Sequence, residues 1–383
     1  MWGISHFEAP LFRLLKQQPN IESRVYYLLA PERNKKFDHD YCQGIDWGED
    51  ILDGYDSEKC STIHDMLYKV RGWKPDAVMI YGYLWPGALR LAVEYRLRGI
   101  PLLFRGTLNT FLDPRRSRLR QLTRLFRPFV FHLFRAHHFG GTYSQEVLRR
   151  AWIPGRRMFF VPYSVDSEHF RLRSEITNGP GRRRFLTETG WPDTSRIILY
   201  IGQLSWVKGP DIALEVFRRY AAEDSLARLI ILGNGKMMRV LRDRVTAVGC
   251  DDRVFFAGFC PSKSTPRFYS ASDVVLFTSR YETWARSVNE AMLCCRPCIL
   301  NVRIAAAGGL VKHNQNGFVV PGETPDDYVD ALRRFFTMDP VMRYMIGSEA
   351  QKAALAFSYE ASLSNLLDSI RFTAGLFPGR KSK

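Results

Sequence analysis

Short apolar runs alternate with segments of helical periodicity along most of the chain. The apolar run DAVMIYGY at residues 76–83 is followed by PGALRLAVEYRLRG at residues 86–99. In the second segment, apolar side chains recur at helical spacing between a starting proline and a closing glycine. Strands that alternate with helices in this way form a parallel sheet through crossover connections. The predicted strands of the first half are residues 23–30, 76–83, 100–106, 137–142 and 158–163.

A second series of apolar runs has the same pattern. Its predicted strands are residues 196–203, 227–235, 253–259, 273–279, 297–301 and 317–322. Between the two series, residues 171–190 combine glycine, proline and charge without apolar periodicity, which favours a linker. The chain of 383 residues is long enough for two domains. The sequence therefore predicts an α/β protein with two doubly wound domains.

The amino-acid composition excludes several classes of protein. A hydrophobic content of 46% excludes a disordered protein. No apolar run reaches the roughly 18 residues of a membrane span, and the start MWGISHFEAP lacks the pattern of a signal peptide. Seven cysteines without an export signal favour reduced thiols, and the CxxC spacing in CCRPC is interpreted as a buried helix end rather than a zinc site. We expect a cytoplasmic protein that is able to contact a membrane.

The chain is strongly basic. Its formal charge of +16 and pI of about 9.6 suit nucleic acid, an anionic membrane surface or anionic small molecules. Residues 114–138 concentrate arginines among Leu and Phe, as in segments that lie on anionic lipid. An ordinary amphipathic helix with a solvated basic face fits equally well, and Pro128 breaks or kinks the run in both cases. A nucleic-acid-binding protein would follow from charge alone, but no recognition motif accompanies it.

Two strand-to-helix turns of the second half contain glycines at positions where ligands of parallel sheets bind. In GQLSWVKGPD, Gly202 and Gly209 permit a close backbone turn, and Lys208 can reach a phosphate. A solvated loop lysine is an equally good interpretation of this stretch alone. In LGNGKMM, the glycines starting with Gly233 can bring a ligand close to the backbone, although a plain tight turn is favoured.

A third turn, SRYETWARSVNEAM, contains two carboxylates and follows the apolar run DVVLF. A helix that begins near Ala285 or Arg286 would point its first amides, including that near Ser287, at an anion such as a diphosphate. Glu282 then precedes the helix, and Glu290 lies about one turn inside it. Each carboxylate has two acceptor oxygens, so one can bind a sugar and the other a ribose. The alternative is two glutamates on a solvated helix face.

In combination, these motifs resemble the donor domain of glycosyltransferase family 4, the retaining GT-B enzymes. The order is the lysine turn, the GxG turn, FAGF, FYSASDVVLFTS, E-x7-E and NGFVVPG, which covers roughly residues 196–336. APLFRLLKQQPNIESRVYYL, GIDWGEDILDGY, IPLLFRG and VPYSVDSEHF resemble the acceptor half of a bacterial branch. FSYEASLSNLLDSIRF resembles the terminal helix that packs back on the first domain. The resemblance implies a GT-B fold of two Rossmann-like domains facing a cleft: residues 1–170 for the acceptor, a linker at 171–190, residues 191–356 for the donor, and a terminal helix with a basic tail at 357–383.

The resemblance implies transfer of a sugar from a nucleotide-sugar to an acceptor hydroxyl with retention, and neither a metal nor a cofactor. The acceptor would be a cell-surface polysaccharide or a lipid-linked glycan, and no nucleic acid is expected. Stabilisation of the leaving group should dominate, because charge develops on the departing phosphate oxygen. Lys208 would neutralise the diphosphate, and Glu282 would contact the donor sugar, as catalytic residues. The other implied donor-binding residues are Gly202, Gln203, Gly233, Gly258, Phe259, Trp284, Ala285, Arg286, Ser287 and Glu290.

Several positions depart from the family pattern. Gln203 stands where the family usually has arginine, and Ala285 where it usually has glycine. Since only five residues precede HFEAPLF, the strand that the resemblance implies before it is expected to be missing or truncated. Where many relatives have a histidine, this chain has Arg105, Gly106 and Thr107; Arg105 and Thr107 are expected on the acceptor side, and Gly106 in a turn. A catalytically weak or inactive sugar-nucleotide-binding protein of the same fold is therefore the alternative hypothesis.

Overall fold

The computed structural model describes residues 8–28, 35–38, 43–46, 51–82, 87–111, 123–177 and 179–376. Residues 1–7, where the first strand was expected to be missing, lie outside this described part, as do residues 112–122 of the basic stretch and the tail at 377–383. Contacts divide the chain into two compact units. Unit 1 comprises residues 1–36, 46–164 and 359–383, and unit 2 comprises residues 37–45 and 165–358.

Strands and helices alternate along the described chain. The strands are β1 (Val25–Tyr27), β2 (Lys35–Asp38), β3 (Gln43–Asp46), β4 (Ser57–Lys59), β5 (Val78–Tyr81), β6 (Leu102–Arg105), β7 (Ala136–Phe139), β8 (Met158–Phe160), β9 (Arg196–Ile201), β10 (Ala227–Leu232), β11 (Val254–Gly258), β12 (Val274–Phe277), β13 (Cys298–Asn301) and β14 (Gly317–Val320). The helices are α1 (Ala9–Lys16), α2 (Ile63–Trp73), α3 (Ala88–Leu97), α4 (Arg127–His132), α5 (Thr142–Arg150), α6 (Ser167–Thr177), α7 (Pro180–Thr189), α8 (Pro210–Glu223), α9 (Met238–Ala247), α10 (Pro266–Ala271), α11 (Arg286–Leu293), α12 (Pro325–Thr337), α13 (Pro340–Leu355) and α14 (Tyr359–Ala374).

The eleven predicted strands overlap β1 and β5 to β14, so the strand predictions are confirmed. The short strands β2, β3 and β4 were not predicted. Their sequences, KKFD, QGID and SEK, contain no apolar run from which a strand could be inferred.

Unit 1 contains a parallel sheet in the order β5–β6–β7–β8 and a separate parallel pair of β1 with β4. Alternate side chains of β6 enter two different cores. Leu102 and Phe104 pack with α2, α3, α4 and α5 on one face, whereas Leu103 packs with α1 and α14 on the other. Because both faces of the sheet are covered by helices, the central strands are apolar throughout. The last helix, α14, is therefore part of unit 1.

Unit 2 contains a six-stranded parallel sheet in the order β11–β10–β9–β12–β13–β14. From the central strand β9, the chain continues to β10 and β11 on one side and then returns to β12 on the other. The strand order therefore reverses between β9 and β12. In doubly wound sheets, ligands bind outside the carboxyl ends of the strands at such a switch point. The turns after β9 and β12 are consequently the positions of unit 2 where a ligand is expected.

The segment predicted as a linker, residues 171–190, is helical for most of its length. Pro180 occupies the first position of α7, and Gly190 closes the helix in the left-handed conformation with φ of 70°. Phe185 and Leu186 are the buried residues of α7, and the Phe185 ring lies 6.1 Å from that of Phe268 in α10. Two buried residues are too few to produce an amphipathic pattern in the sequence, which is why the helix was not recognised.

Two further expectations concern membranes and metals. Within the described ranges, no helix is long and apolar enough to cross a bilayer. The CCRPC run forms the end of α11 and the start of β13, which confirms its interpretation as a helix end that continues into a strand. Among the residues that the structure describes, no group of three or more His, Cys, Asp or Glu side chains is placed to hold a metal ion.

Candidate functional site

The turn after β9 packs closely against the end of β12, and a glycine permits this close approach. Trp206–Lys208 form a 3-10 turn, and Gly209 then takes the left-handed conformation with φ of 67°. A Cβ atom at Gly209 would lie 2.3 Å from the carbonyl oxygen of Thr278, so only glycine fits. The hydroxyl of Thr278 donates to the carbonyl oxygen of Gly209 over 2.7 Å. The two turns at the switch point are therefore in direct backbone contact.

Arg280 fixes the same two turns with its side chain. Its guanidinium donates to both carboxylate oxygens of Asp211, over 3.0 and 2.7 Å, and to the carbonyl oxygen of Trp206 over 2.6 Å. The guanidinium also lies over the indole of Trp206, 4.7 Å from the ring centroid. Burial alone would raise the pKa of Asp211, but the hydrogen bonds and charge of Arg280 outweigh it, so that this pKa is lowered. Arg280 and Asp211 thus link the turn after β9 to the turn after β12.

Lys208 and Glu282 come together at this switch point. The Nζ atom of Lys208 forms an ion pair with Oε2 of Glu282. The other oxygen, Oε1, accepts a hydrogen bond from the backbone N–H of Thr283 over 3.1 Å. The backbone carbonyl of Glu282 accepts from Ala305 over 3.2 Å, which anchors the loop to the segment after β13. The structure therefore places a cationic and an anionic side chain next to each other at the ends of neighbouring strands.

The loop that carries Glu282 turns into α11 through a buried tryptophan. The indole N–H of Trp284 donates to Oδ1 of Asn289 over 2.9 Å, and the ring stacks on Phe357 at a centroid distance of 5.4 Å. Ala285 follows with φ of 68° and ψ of 76°, a left-handed conformation that costs an L-residue roughly 1–2 kcal/mol. This conformation explains why glycine suits the position. Trp284 packs the loop, and the amides of Arg286 and Ser287 form the first turn of α11.

Glu290 is held inside unit 2 by α10 and the preceding turn. Its side chain is only 6% exposed. The hydroxyl of Tyr269 donates to Oε2 over 2.9 Å, and that of Ser262 donates to Oε1 over 3.2 Å. Burial raises the pKa of Glu290, against the opposing effects of Arg286, Tyr269 and Ser262. The solvated helix face considered from the sequence does not describe this residue, whose carboxyl is oriented by two hydroxyls.

The ends of β9, β10 and β11 meet through backbone contacts. Gly233 has φ of 147°, and a Cβ atom there would lie 1.9 Å from the carbonyl oxygen of Gly202. The N–H of Gly233 donates to the carbonyl oxygen of Gly258 over 2.8 Å. Gln203 and Phe259 follow directly and are partly exposed. The glycine at 233 is thus required by packing between turns, in agreement with the tight-turn interpretation.

In unit 1, Arg105 lies in a buried polar cluster. Its Nε and Nη2 atoms donate to the two carboxylate oxygens of Glu8 over 3.0 and 2.9 Å, and Nη1 donates to the carbonyl oxygen of Val161 over 3.0 Å. The hydroxyl of Tyr81 donates to Oε2 of Glu8 over 3.2 Å. Thr107 is exposed beyond the strand. Arg105 was expected on the acceptor side, but its guanidinium is used by these buried contacts and serves packing within unit 1.

The sequence pointed to Lys208, Glu282 and Glu290, and the structure puts each of them at the carboxyl-end turns of unit 2 or in the helix that follows. The sequence analysis did not identify Arg280, Asp211 or Tyr269. An arginine directly after the β12 run and an aspartate in the turn after β9 have opposite charges at adjacent strand ends, a signal from which Arg280 and Asp211 could have been inferred.

The sequence is similar to known glycosyltransferases. The family model Glycosyl transferases group 1 matches residues 182–353. A D-inositol 3-phosphate glycosyltransferase of Thermomonospora curvata is 26% identical over 224 residues, which are 55% of this chain and 51% of that protein. Alpha-D-kanosaminyltransferase of Streptomyces kanamyceticus is 26% identical over 205 residues, which are 54% of this chain and 51% of that protein. The chain spans about half the length of these curated relatives.

Solved structures match nearly the whole chain. HepE of Anabaena in complex with UDP has a TM-score of 0.74 at 17% identity, over 96% of this chain and 98% of HepE. HepE with UDP-glucose has a TM-score of 0.67 at 16% identity, over 96% of this chain and 95% of HepE. A glycosyltransferase of Rickettsia africae has a TM-score of 0.72 at 11% identity, over 96% of this chain and 94% of that protein. The likeness confirms the predicted fold class, α/β of the GT-B type with two doubly wound sheets.

Proposed function

We propose, from the membership of this chain in the group 1 glycosyl transferases (glycosyltransferase family 4), that it moves a sugar from a nucleotide-sugar to an acceptor hydroxyl with retention at the anomeric carbon. The observation that carries the proposal is the pairing of Lys208 with Glu282 at the switch point of unit 2. A switch point is where doubly wound sheets bind nucleotides, and a lysine there supplies a point charge for phosphate.

Each polar group of the site has a proposed role in binding the donor. The N-terminal amides of α11 and the ammonium of Lys208 would bind the diphosphate. When the phosphate pairs with the ammonium group of Lys208 in place of Glu282, the carboxylate of Glu282 becomes able to accept hydrogen bonds from the donor sugar. Glu290, whose carboxyl is already oriented by Tyr269 and Ser262, would accept from the ribose hydroxyls. UDP-glucose is the first donor to test, because HepE binds UDP and UDP-glucose.

The proposed catalytic contribution is stabilisation of the leaving group. As the bond between sugar and diphosphate breaks, negative charge grows on the departing phosphate oxygen. A preorganised cation and helix amides stabilise that charge more strongly in the transition state than in the ground state. The contacts of Arg280 with Asp211 and of Gly209 with Thr278 support this role, because they fix the loop of Lys208 before a donor binds.

We propose that the acceptor is a lipid-linked or cell-surface glycan at an anionic membrane. Leu125, Phe126 and Phe129 of unit 1 are between 65% and 75% exposed. They continue an arginine-rich run, and the sequence contains no Asp or Glu between Asp113 and Glu146. Exposed aromatic and aliphatic side chains beside arginines suit insertion at the level of anionic lipid headgroups.

The alternative function is a sugar-nucleotide-binding protein with little or no turnover. Two observations favour it. Gln203 removes a charge from the turn after β9, and Ala285 adds a methyl group and backbone strain at the position where glycine fits best. The two functions share donor binding and differ in whether the bound sugar is released or transferred.

A screen for donor binding and hydrolysis tests both functions. Thermal unfolding would be recorded with UDP-, GDP-, ADP- and dTDP-sugars for the wild type, for Glu290→Ala, and for Glu188→Ala on exposed α7 as the matched control. A donor that stabilises the wild type and Glu188→Ala but not Glu290→Ala supports the site. Release of free sugar then supports a transferase, and stabilisation without release supports the alternative. Failure of every nucleotide-sugar to bind would overturn both.

A further inference from the structure

A cavity of about 540 Å³ lies in unit 1 and is lined by residues between Arg24 and Trp73. Tyr26 of β1 and Glu58 of β4 are register partners in the parallel pair, so they lie side by side at this cavity. The last two turns of α2 form another wall with Tyr68, Lys69, Arg71 and Trp73. The volume is that of a small-molecule site and suits one or two sugar rings.

The charges around the cavity are not balanced. Lys69 is neutralised by Glu58, 3.0 Å away, and by Asp65, 3.5 Å away. Arg24 and Arg71 also line the cavity, and within the described ranges neither has a carboxylate at ion-pair distance. The guanidinium of Arg24 interacts with the side chain of Tyr26, but no carboxylate of the described residues neutralises Arg24 or Arg71, so both positive charges can bind an anionic ligand. An arginine recognises a carboxylate or a phosphate through two parallel hydrogen bonds.

Aromatic side chains accompany these two cations. Tyr68 is 80% exposed on α2, and Trp73 ends the same helix. The guanidinium of Arg24 lies 5.6 Å from the centroid of the Trp73 ring. Aromatic side chains combine a large apolar surface with polar edges, so they can pack on the apolar face of a sugar while neighbouring groups bind its substituents. A large exposed tyrosine beside two uncompensated arginines has no evident role in the stability of unit 1.

We propose that this cavity binds an acidic saccharide, a sugar ring that carries a carboxylate or a phosphate. Arg24 and Arg71 bind the anionic group, and Tyr68 packs on the ring. Glu58, which also lines the cavity, stays paired with Lys69 and accepts a hydrogen bond from a sugar hydroxyl. The residues of this site all belong to unit 1, whereas the proposed donor-binding residues belong to unit 2, and its occupancy does not require the donor to be bound. In a protein that builds glycans, it would retain an acidic glycan by a contact other than the reacting hydroxyl.

Calorimetric titration of the full chain with a matched pair of sugars tests the proposal. The pair is a disaccharide that contains glucuronate and the same disaccharide with its carboxyl group reduced to an alcohol. The acidic sugar should bind at least about tenfold more tightly, because its charge-assisted hydrogen bonds are lost in the neutral one. Arg24→Gln and Arg71→Gln should each weaken the acidic sugar about tenfold. Arg149→Gln, at an exposed position of α5 that does not line the cavity, should leave it unchanged.

Further ligands distinguish a site for a phosphate-bearing sugar from a site for a carboxylate-bearing sugar. Glucose 1-phosphate bound with the same dependence on Arg24 and Arg71 supports a phosphate-bearing sugar, and the disaccharide supports a carboxylate. Tyr68→Ala should weaken both sugars without changing the affinity for inorganic phosphate. Equal binding of the acidic and neutral disaccharides, or no binding of either acidic sugar, overturns the proposal. It is also overturned if inorganic phosphate binds as tightly as glucose 1-phosphate, or if UMP competes for the cavity and binds more tightly than both sugars.

Discussion

Tyr269 donates its hydroxyl hydrogen to Oε2 of Glu290 over 2.9 Å, and both side chains are buried. Burial raises the pKa of this carboxyl, although the hydrogen bond from Tyr269 and the charge of Arg286 act in the opposite direction. A group whose pKa is raised on folding binds more protons in the folded state than in the unfolded chain. Its contribution to stability is then fully present below the pKa of the unfolded chain and is lost as the pH rises through the folded pKa.

We therefore predict that Glu290→Gln changes the pH dependence of stability. The glutamine keeps an oxygen for Tyr269 but cannot ionise, so the variant avoids the loss that the wild type undergoes. The melting temperature of Glu290→Gln relative to the wild type should rise with pH from the usual range of a glutamate pKa upward. Differential scanning calorimetry in a series of buffers measures this difference. Glu188→Gln, on exposed α7, is the control, and an equal trend in both variants would contradict the assignment to Glu290.

Because Lys208 pairs with Glu282 at the proposed donor site, we expect Lys208→Met to lower activity with the nucleotide-sugar strongly. The variant loses the charge proposed to stabilise the departing phosphate, so kcat/KM with the best nucleotide-sugar should fall about 100- to 1,000-fold. The stabilisation of the protein by that donor should also disappear. Lys312→Met, an exposed lysine after β13, controls for the loss of one positive charge from unit 2. Kinetics and thermal shifts of Lys208→Met that match those of Lys312→Met would show that Lys208 does not contact the diphosphate.

Ala285→Gly is expected to be a stabilising change. Ala285 has φ of 68°, so the glycine relieves strain of about 1 kcal/mol. For a unit of this size, that free energy raises the melting temperature by roughly 2–4 °C. The added room should also tighten donor binding if the methyl group crowds the sugar. Ala291→Gly, at a buried position within α11, the helix that Ala285 precedes, should instead destabilise by about 1 kcal/mol. A decrease in stability for both variants would rule out strain at position 285.

Local sequence patterns were sufficient to predict the strands of both sheets and the site residues that lie in strand-to-helix turns. Lys208 and Glu282 could be found because each follows a recognisable apolar run, and parallel strands bring such turns to one edge. Arg280 and Asp211 are 69 residues apart, and Glu8 and Arg105 are 97 residues apart. No local periodicity encodes which distant charge a side chain will meet.

The role assigned to Arg105 shows the same limit of local reasoning. A position at the end of β6 suggested a ligand-facing side chain, but burial of a guanidinium is favourable only if carboxylates and carbonyls satisfy it. Glu8 and the carbonyl of Val161 satisfy it here. That Glu8 lies close enough to do so depends on the packing of α1 against the sheet, which is a property of the folded unit.

Arg105→Met should therefore destabilise unit 1 strongly. Removal of the guanidinium leaves the buried carboxylate of Glu8 without its charged partner, with only the hydroxyl of Tyr81 to donate to it, at an expected cost of about 3–5 kcal/mol. The double variant Arg105→Met, Glu8→Gln should recover much of that loss, because no buried charge remains. Arg98→Met breaks the partly exposed pair with Glu94 and should cost at most about 1 kcal/mol. Urea unfolding gives all three values, and a cost for Arg105→Met as small as that for Arg98→Met would contradict the buried-pair interpretation.

The exposed side chains of Leu125, Phe126 and Phe129 predict a specific mode of membrane binding. If unit 1 lay on lipid through charge alone, vesicles with anionic headgroups would bind the wild type and a triple serine variant equally, and salt would release both. If the three apolar side chains enter the headgroup layer, each contributes part of the roughly 1.5–3 kcal/mol of a fully buried side chain. The triple variant should then lose at least about tenfold in affinity for anionic vesicles, with its arginines intact.

Co-sedimentation with vesicles of anionic or neutral lipids separates the two modes. The matched control replaces three exposed side chains of α13, Met342, Tyr344 and Met345, by serine, which removes a comparable apolar surface from unit 2. Because this stretch contains a single arginine, Arg343, and no run comparable to that at residues 115–135, the control should bind vesicles like the wild type. Loss of binding in both triple variants would mean that general surface hydrophobicity drives adsorption. Retained binding in both would leave the arginines as the sole determinant and would remove the support that these exposed side chains give to a lipid-linked acceptor.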